Sequence, residues 1–355
     1  MSVPQAQLIE DVTHILGDSG WKVTSVPRSG AVDLVAHPED TGIEDCQPLL
    51  TKVISQLASV RVQHTAEMKL LARLLQATPL LIAQYYKSNQ TVLHPDTVYN
   101  RHSINAINVK TLENLLRRGI SPHKIASRGT KTAVRIDHER LTTLLKQTGR
   151  TQNQISQELD ISRQSLISYQ SGNSKPSEET FNKIVELLER WLGISSASDE
   201  LKNPQPLLQH YLTDQNDQEF MLEQRNLHGL HLEVDNVLER LELQRYWFHH
   251  LPWDGVSQVI KNRRGERDIT LFTGVGDQSR QRDLSKRIVA TKEILEFLNK
   301  QGLWVTEDES VKGEITDRLR HVSPMSPDPL WIMTIDDLEN LKNLDDLRTK
   351  LERGQ

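Results

Sequence analysis

Apolar positions along the chain follow two rhythms, and the rhythms change where the chemistry changes. Over residues 1–116 and again over 219–350, an amphipathic helical stretch gives way to short apolar runs of strand length. In the first block Ile9, Val12, Leu16, Trp21 and Val23 carry the opening pattern; in the second, Val234, Val237, Leu241, Tyr246 and Phe248 occupy the same places at a constant offset. A strand containing an acid follows in each, Ala31-Val32-Asp33-Leu34-Val35 and Pro252-Trp253-Asp254-Gly255-Val256. Another strand comes next, Leu49-Leu50-Thr51-Lys52-Val53 and Leu271-Phe272-Thr273-Gly274-Val275. Helices over 67–76 and 285–299 lead to strands at 80–83 and 303–306. Each block closes with a strand and a helix containing Leu-Glu-Asn, at 112–114 and 338–340. The shared order predicts two α/β units, 1–118 and 219–355, the second a duplicate of the first.

Between them the texture becomes purely helical. Leu141, Leu144 and Leu145 form the apolar face of one helix, which Gly149 ends. Thr151 is placed to cap a second helix, 152–159, with Ile155, Ser156 and Leu159 inward; Ser156 is small enough for the next helix to come close. Asp160 stands in the sharp turn, where a positive φ is expected. Ser162 caps a third helix, 163–170, whose Leu166 and Tyr169 face the core while Arg163, Gln164 and Ser168 face away. After Gly172, a fourth helix starts near Ser177 with the stripe Phe181, Ile184, Val185, Leu188, Trp191 and Leu192. This module spans 137–192. Residues 119–136 read as a β-hairpin turning at Arg128-Gly129-Thr130, and 193–218, rich in Ser, Asp, Asn, Gln and Pro, as a linker.

Net charge changes the picture more than composition does. The chain carries −5 overall, yet residues 117–176 hold eleven Lys and Arg against four acids, which is +7; the rest then carries 32 basic and 44 acidic residues, or −12. One basic island between acidic flanks is the footprint of a polyanion site. A single cysteine, Cys46, excludes an internal disulfide and a thiolate metal cluster. No apolar run reaches the roughly 20 residues of a membrane span, and the first ten residues have no secretion signal. The expected compartment is the cytoplasm, with no membrane partner.

The segment LLKQTGRTQNQISQELDISRQSLISYQSGNSKPSEETFNKIVELL resembles the phage repressor/Cro class of helix-turn-helix, with Asp160 where that class carries Gly and Gln170 where it carries Glu. The α/β units resemble the restriction-endonuclease-like, PD-(D/E)XK, fold. Asp33 and Lys52 match that fold's catalytic Asp and Lys, but Leu50 stands at the second carboxylate; the second unit keeps Asp254 and has Phe272 and Gly274 at the other two places. Without paired carboxylates a divalent cation lacks its oxygen ligands and water activation lacks a base, although Glu67 on the following helix is a possible replacement acid. The layout also resembles an archaeal family of HTH-type transcriptional regulators, through Arg117-Arg118-Gly119-Ile120-Ser121-Pro122 and the run from Arg128-Gly129 to Asp137. The expected fold class is therefore α/β plus all-α: two restriction-endonuclease-like α/β domains flanking a central four- to five-helix lambda-repressor-like domain.

These resemblances imply a non-enzymatic, sequence-specific regulator that binds double-stranded DNA as a homodimer, with no catalytic residue, metal or cofactor. Arg163, Gln164 and Ser168 are the candidates for reading bases: Arg donates to guanine O6/N7 and Gln pairs with adenine N6/N7. Gln152, Ser165, Ser171 and Lys175 are placed for phosphates, and Arg128, Lys131 and Arg135 make the hairpin either a basic wing or a plain connector. A targeted metal-dependent nuclease and an architectural DNA-binding protein are the alternatives. His228, His231 and the His249-His250 pair have spacings wrong for one helical face, and no carboxylate or cysteine clusters with them. Thr273-Gly274-Val275-Gly276 does not continue into a phosphate-binding fingerprint.

Overall fold

The computed structural model describes residues 4–27, 29–39, 47–87, 91–128, 131–208, 227–259, 270–276, 281–322 and 329–353. They form two compact units: 1–23, 36–65 and 76–211 make one, and 24–35, 66–75 and 212–355 make the other.

The first block runs α1 (Gln5–Asp18), β1 (Trp21–Ser25), β2 (Leu34–Pro38), β3 (Leu49–Gln56), α2 (Val62–Leu75), β4 (Thr78–Tyr85), β5 (Thr97–Arg101), β6 (Ile104–Ile107) and α3 (Val109–Arg118). The hairpin β7 (Lys124–Arg128) and β8 (Lys131–Val134) follows, giving one sheet in the order β1-β2-β3-β4-β6-β5-β7-β8. Helix α1 buries Leu8, Val12, Ile15 and Leu16, so Leu8 rather than Ile9 sits at the core end of its stripe. Strands β3, β4 and β6 are parallel neighbours and mostly buried along their length, as expected of strands covered on both faces.

The central module is five helices, α4 (His138–Gln147), α5 (Gln152–Glu158), α6 (Arg163–Gln170), α7 (Glu178–Leu192) and α8 (Ala197–Leu201). Leu141, Leu144, Ile155, Leu159, Leu166, Phe181, Ile184, Leu188 and Leu201 share its core. Helix α8 corrects the linker expected over 193–218. Ala197 and Leu201 are fully buried, and the Leu201 carbonyl accepts the Asp137 amide at 2.8 Å, clamping the start of α4. Polar composition concealed the helix because five residues need only two apolar contacts to dock. Residues 209–218 of that stretch lie outside the described residues.

The second block runs α9 (Leu230–Arg240), β9 (Leu243–Trp247), β10 (Gly255–Val259), β11 (Thr270–Gly276), α10 (Gln281–Leu298), β12 (Gln301–Thr306), α11 (Glu309–Val322), β13 (Leu330–Thr334), α12 (Ile335–Glu339) and α13 (Leu344–Arg353). Its sheet order is β13-β12-β11-β10-β9, with β11, β12 and β13 parallel. This is the order and orientation of β6, β4 and β3 in the first sheet. Thr51 pairs with Leu80 in the first sheet, and Thr273 with Leu303 in the second. The strands expected at 31–35 and 252–256 begin later, at Leu34 and Gly255, so Asp33 and Asp254 each precede a strand. Both carbonyls are already committed to a bend: Asp33 accepts the Val26 amide at 2.8 Å and Asp254 the Phe248 amide at 2.7 Å.

Candidate nucleic-acid interface

Side-chain caps fix where α5 and α6 begin. Thr151 Oγ1 accepts the Gln154 amide while Gln154 Oε1 accepts the Thr151 amide, a reciprocal capping box. The turn between the helices holds Asp160 at φ 53°, as its place in the sequence predicts. Ser162 then accepts the Ser165 amide at 3.0 Å and starts α6. Ser156 is buried between the two helices, and its hydroxyl donates to the Asn153 carbonyl at 3.0 Å, so a polar atom is satisfied without adding bulk.

Helix α6 turns Leu166 inward and leaves Arg163 and Gln164 exposed and Ser168 half-buried. A chain of side-chain hydrogen bonds ties its two ends to α5. Arg163 Nε donates to Gln152 Oε1 at 3.3 Å, and Gln152 Nε2 donates to Gln170 Oε1 at 3.2 Å. The backbone carbonyl of Gln170 accepts Thr142 Oγ1 of α4 at 3.3 Å. Gln170 is thus a positioning residue that sequence reading noted only as a departure from a class. Its own carbonyl oxygen serves where a carboxylate would otherwise accept from Gln152. Ser171 and Lys175 are exposed just beyond α6, while Ser165 is half-buried with its hydroxyl 2.9 Å from that of Ser162. Exposed Ile167 also lies on the outward face; no sequence signal separates it from a core residue.

Strands β7 and β8 pair antiparallel, with Lys124 opposite Val134 and Arg128 opposite Lys131. Strand β7 pairs with β5, and the Val134 amide donates to the Pro176 carbonyl at 2.9 Å, so the hairpin is built into both the sheet and the helical module. Lys131 is exposed and Arg135 half-buried, where burial lowers the Arg135 guanidinium from its ordinary value. The Arg128 side chain and the turn at 129–130 lie outside the described residues. Folding also trims the basic island. Lys124 pairs with Glu178, Arg140 with Glu200, and Arg117 with both Glu113 and Asp18. Arg150 stacks over the Trp191 ring at 5.3 Å. All four acids stand outside the 117–176 window, which is why a linear count overstated the excess.

Residues 5–122 match the model of the PD-(D/E)XK superfamily domain, and residues 138–190 that of a helix-turn-helix domain. The chain carries both, in that order. It is 27% identical to a Thermococcus gammatolerans protein over 98% of this chain and 96% of that one, and 28% identical to one from Pyrococcus horikoshii over 96% and 95%. A Methanococcus vannielii protein is 22% identical over 84% of this chain and 87% of its own. Each of the three is named a "Putative HTH-type transcriptional regulatory protein". No solved structure matches.

In the PD-(D/E)XK domain, Leu50 is fully buried where the second carboxylate would stand. Glu67, the possible replacement, is 2% exposed and already engaged. It accepts the amides of His249 and His250 at 2.7 and 3.0 Å, and its Oε1 is 3.1 Å from His250 Nδ1. In the second α/β block, Asp254 Oδ2 accepts the Val275 amide and Arg287 Nη2, both at 2.8 Å. His231 Nε2 lies 3.4 Å from Oδ1, an ion-pair separation rather than a hydrogen bond. Burial pushes the Asp254 carboxyl upward, but His231, Arg287 and the Val275 amide outweigh it and hold the group below its ordinary value. A guanidinium here neutralises the aspartate. Two of the histidines each meet one carboxylate, His231 with Asp254 and His250 with Glu67; both acids come from distant parts of the sequence. Among the described residues no cluster of three or more His, Cys, Asp or Glu could hold a metal, and no helix is long and apolar enough to cross a membrane.

Proposed function

We propose that this protein is a sequence-specific transcriptional regulator of the cytoplasm that binds double-stranded DNA through α5 and α6 and carries out no catalysis. The observation that carries the reading is the outward face of α6, fixed at its start by the Ser162 cap and braced by the Arg163–Gln152–Gln170 chain. In this reading α6 enters the major groove. Arg163, Gln164 and Ser168 read base edges, and Gln152, Ser165, Ser171 and Lys175 hold phosphates. Arg128, Lys131 and Arg135 of the hairpin add backbone contacts. The names of the archaeal relatives support a regulator. The absence of nuclease chemistry is supported by Leu50, by the engaged Glu67 and by the Asp254–Arg287 pair. One preferred operator, recovered by selecting bound sequences from a random duplex library, with affinity falling steeply as salt rises, is the expected result. Equal recovery of all sequences would leave only an architectural role. Incubation with Mg²⁺ or Mn²⁺ leaves plasmid uncut; metal-dependent cutting abolished by Asp33→Ala would restore the nuclease reading.

A further inference from the structure

Five large apolar side chains are exposed among the described residues: Val62, Val92, Ile120, Ile167 and Leu232. Four are scattered, as single apolar residues on protein surfaces commonly are. Ile167 is different because of where it stands. On α6 it follows Arg163 by four residues and Gln164 by three, so these side chains share one face, and it is 43% exposed among polar and cationic neighbours. An isoleucine there can make no hydrogen bond to a base edge. The one apolar group that duplex DNA presents in its major groove is the C5-methyl of thymine. Against any other base the side chain would desolvate a donor or acceptor without pairing it, so it selects by exclusion as well as by attraction.

We propose that Ile167 is a specificity-determining residue that packs on a thymine methyl beside the bases met by Arg163 and Gln164. The inference rests on the DNA-reading role proposed for α6. It is tested with the full chain on the selected operator, replacing each thymine in turn by deoxyuridine, which removes only the methyl. Wild type should lose about fourfold in affinity at one thymine per half-site, the factor expected for uncovering one methyl group. Ile167→Ala, a good helix former at an exposed position, should bind the thymine and uracil forms of that site equally, with Ile167→Val intermediate. Indifference of wild type to uracil at every position overturns the proposal, as does a thymine preference that survives Ile167→Ala. A library that yields no preferred sequence overturns the reading role of α6 itself, an outcome distinct from a selected operator that ignores the methyl.

Discussion

Trp304 fills the space beside Gly274: a β-carbon at 274 would lie 2.2 Å from the indole ring, and the β11–β12 register sets the two residues side by side. Gly274 stands at the strand position that Lys52 would occupy if the second block repeats the first, as the sequence pattern suggests. Arg287 lies 5.4 Å from the centre of the same indole and reaches Asp254. The glycine, the indole and the aspartate's cationic partner thus form one packing solution. Gly274→Ala is expected to destabilise this unit by about 1–3 kcal/mol through overpacking, and Gly274→Lys by more, with no gain of cleavage. A denaturant melt of Gly274→Ala that superimposes on wild type would contradict the close approach.

The Asp254–Arg287 pair is buried, so breaking it from one side should cost far more than replacing it. Arg287→Ala is expected to lose about 3–5 kcal/mol, whereas Asp254→Leu combined with Arg287→Met recovers most of it. The pH dependence follows from the depressed Asp254 carboxyl. A group whose folded value lies below its unfolded value of about 3.9 stabilises above that value and ceases to do so as pH falls through the folded one. Urea melts from neutral pH down to about 3 should therefore show a loss below about pH 4 that Asp254→Asn removes.

The helical module was legible because its signals are local. Thr151, Ser162 and Ser177 cap the helices that their positions announce, and each needs only the three residues after it. The α/β order of the two blocks was legible but not the edges of their strands, since Asp33 and Asp254 sit in bends that apolar runs do not mark. What stayed hidden joins distant residues: Glu67 meets His250 across 183 positions, and Glu178 and Glu200 neutralise Lys124 and Arg140 from beyond the basic stretch. Ile167 escaped notice for another reason. Sequence pattern cannot distinguish an apolar residue on a binding face from one beside the core stripe.

Asp160 carries a left-handed backbone at φ 53°, a conformation costing an L-residue about 1–2 kcal/mol. Asp160→Gly removes that strain and adds chain entropy worth about 0.5–1 kcal/mol. A net gain of up to about 1 kcal/mol is expected, with the selected operator unchanged. Thermal melting together with binding selection checks both halves, and a loss of stability would mean that the Asp160 side chain contributes more than its backbone costs.

Arg163 and Gln164 are exposed at the start of α6 and belong to no buried cluster of the helical module. Arg163→Ala and Gln164→Ala should each relax preference at one or two base pairs by about 1–3 kcal/mol while leaving the melting temperature near wild type. Arg163→Ala should also weaken binding at other positions, because its Nε orients Gln152. Retention of the full sequence preference by either variant would displace the reading face from this side of the helix.

Assembly follows from how little DNA one α6 can touch. A single helix-turn-helix meets only a few base pairs, and its phosphate contacts alone give weak, salt-sensitive binding without preference. A second head related by two-fold symmetry raises both affinity and selectivity, and it makes the operator an inverted repeat with half-sites about 10 base pairs apart or a multiple of that. With one helix-turn-helix and two α/β blocks among the described residues, the proposed function leads to the expectation of a homodimer held mainly through residues 1–116 and 219–350, with both basic faces presented to the same side of the duplex. Sedimentation at micromolar concentration should give twice the chain mass of 40.7 kDa, and binding to the selected inverted repeat should require both half-sites. A monomer that binds each half-site independently, with no cooperativity when both are present, would exclude this arrangement and leave the α/β blocks without a role in pairing the heads.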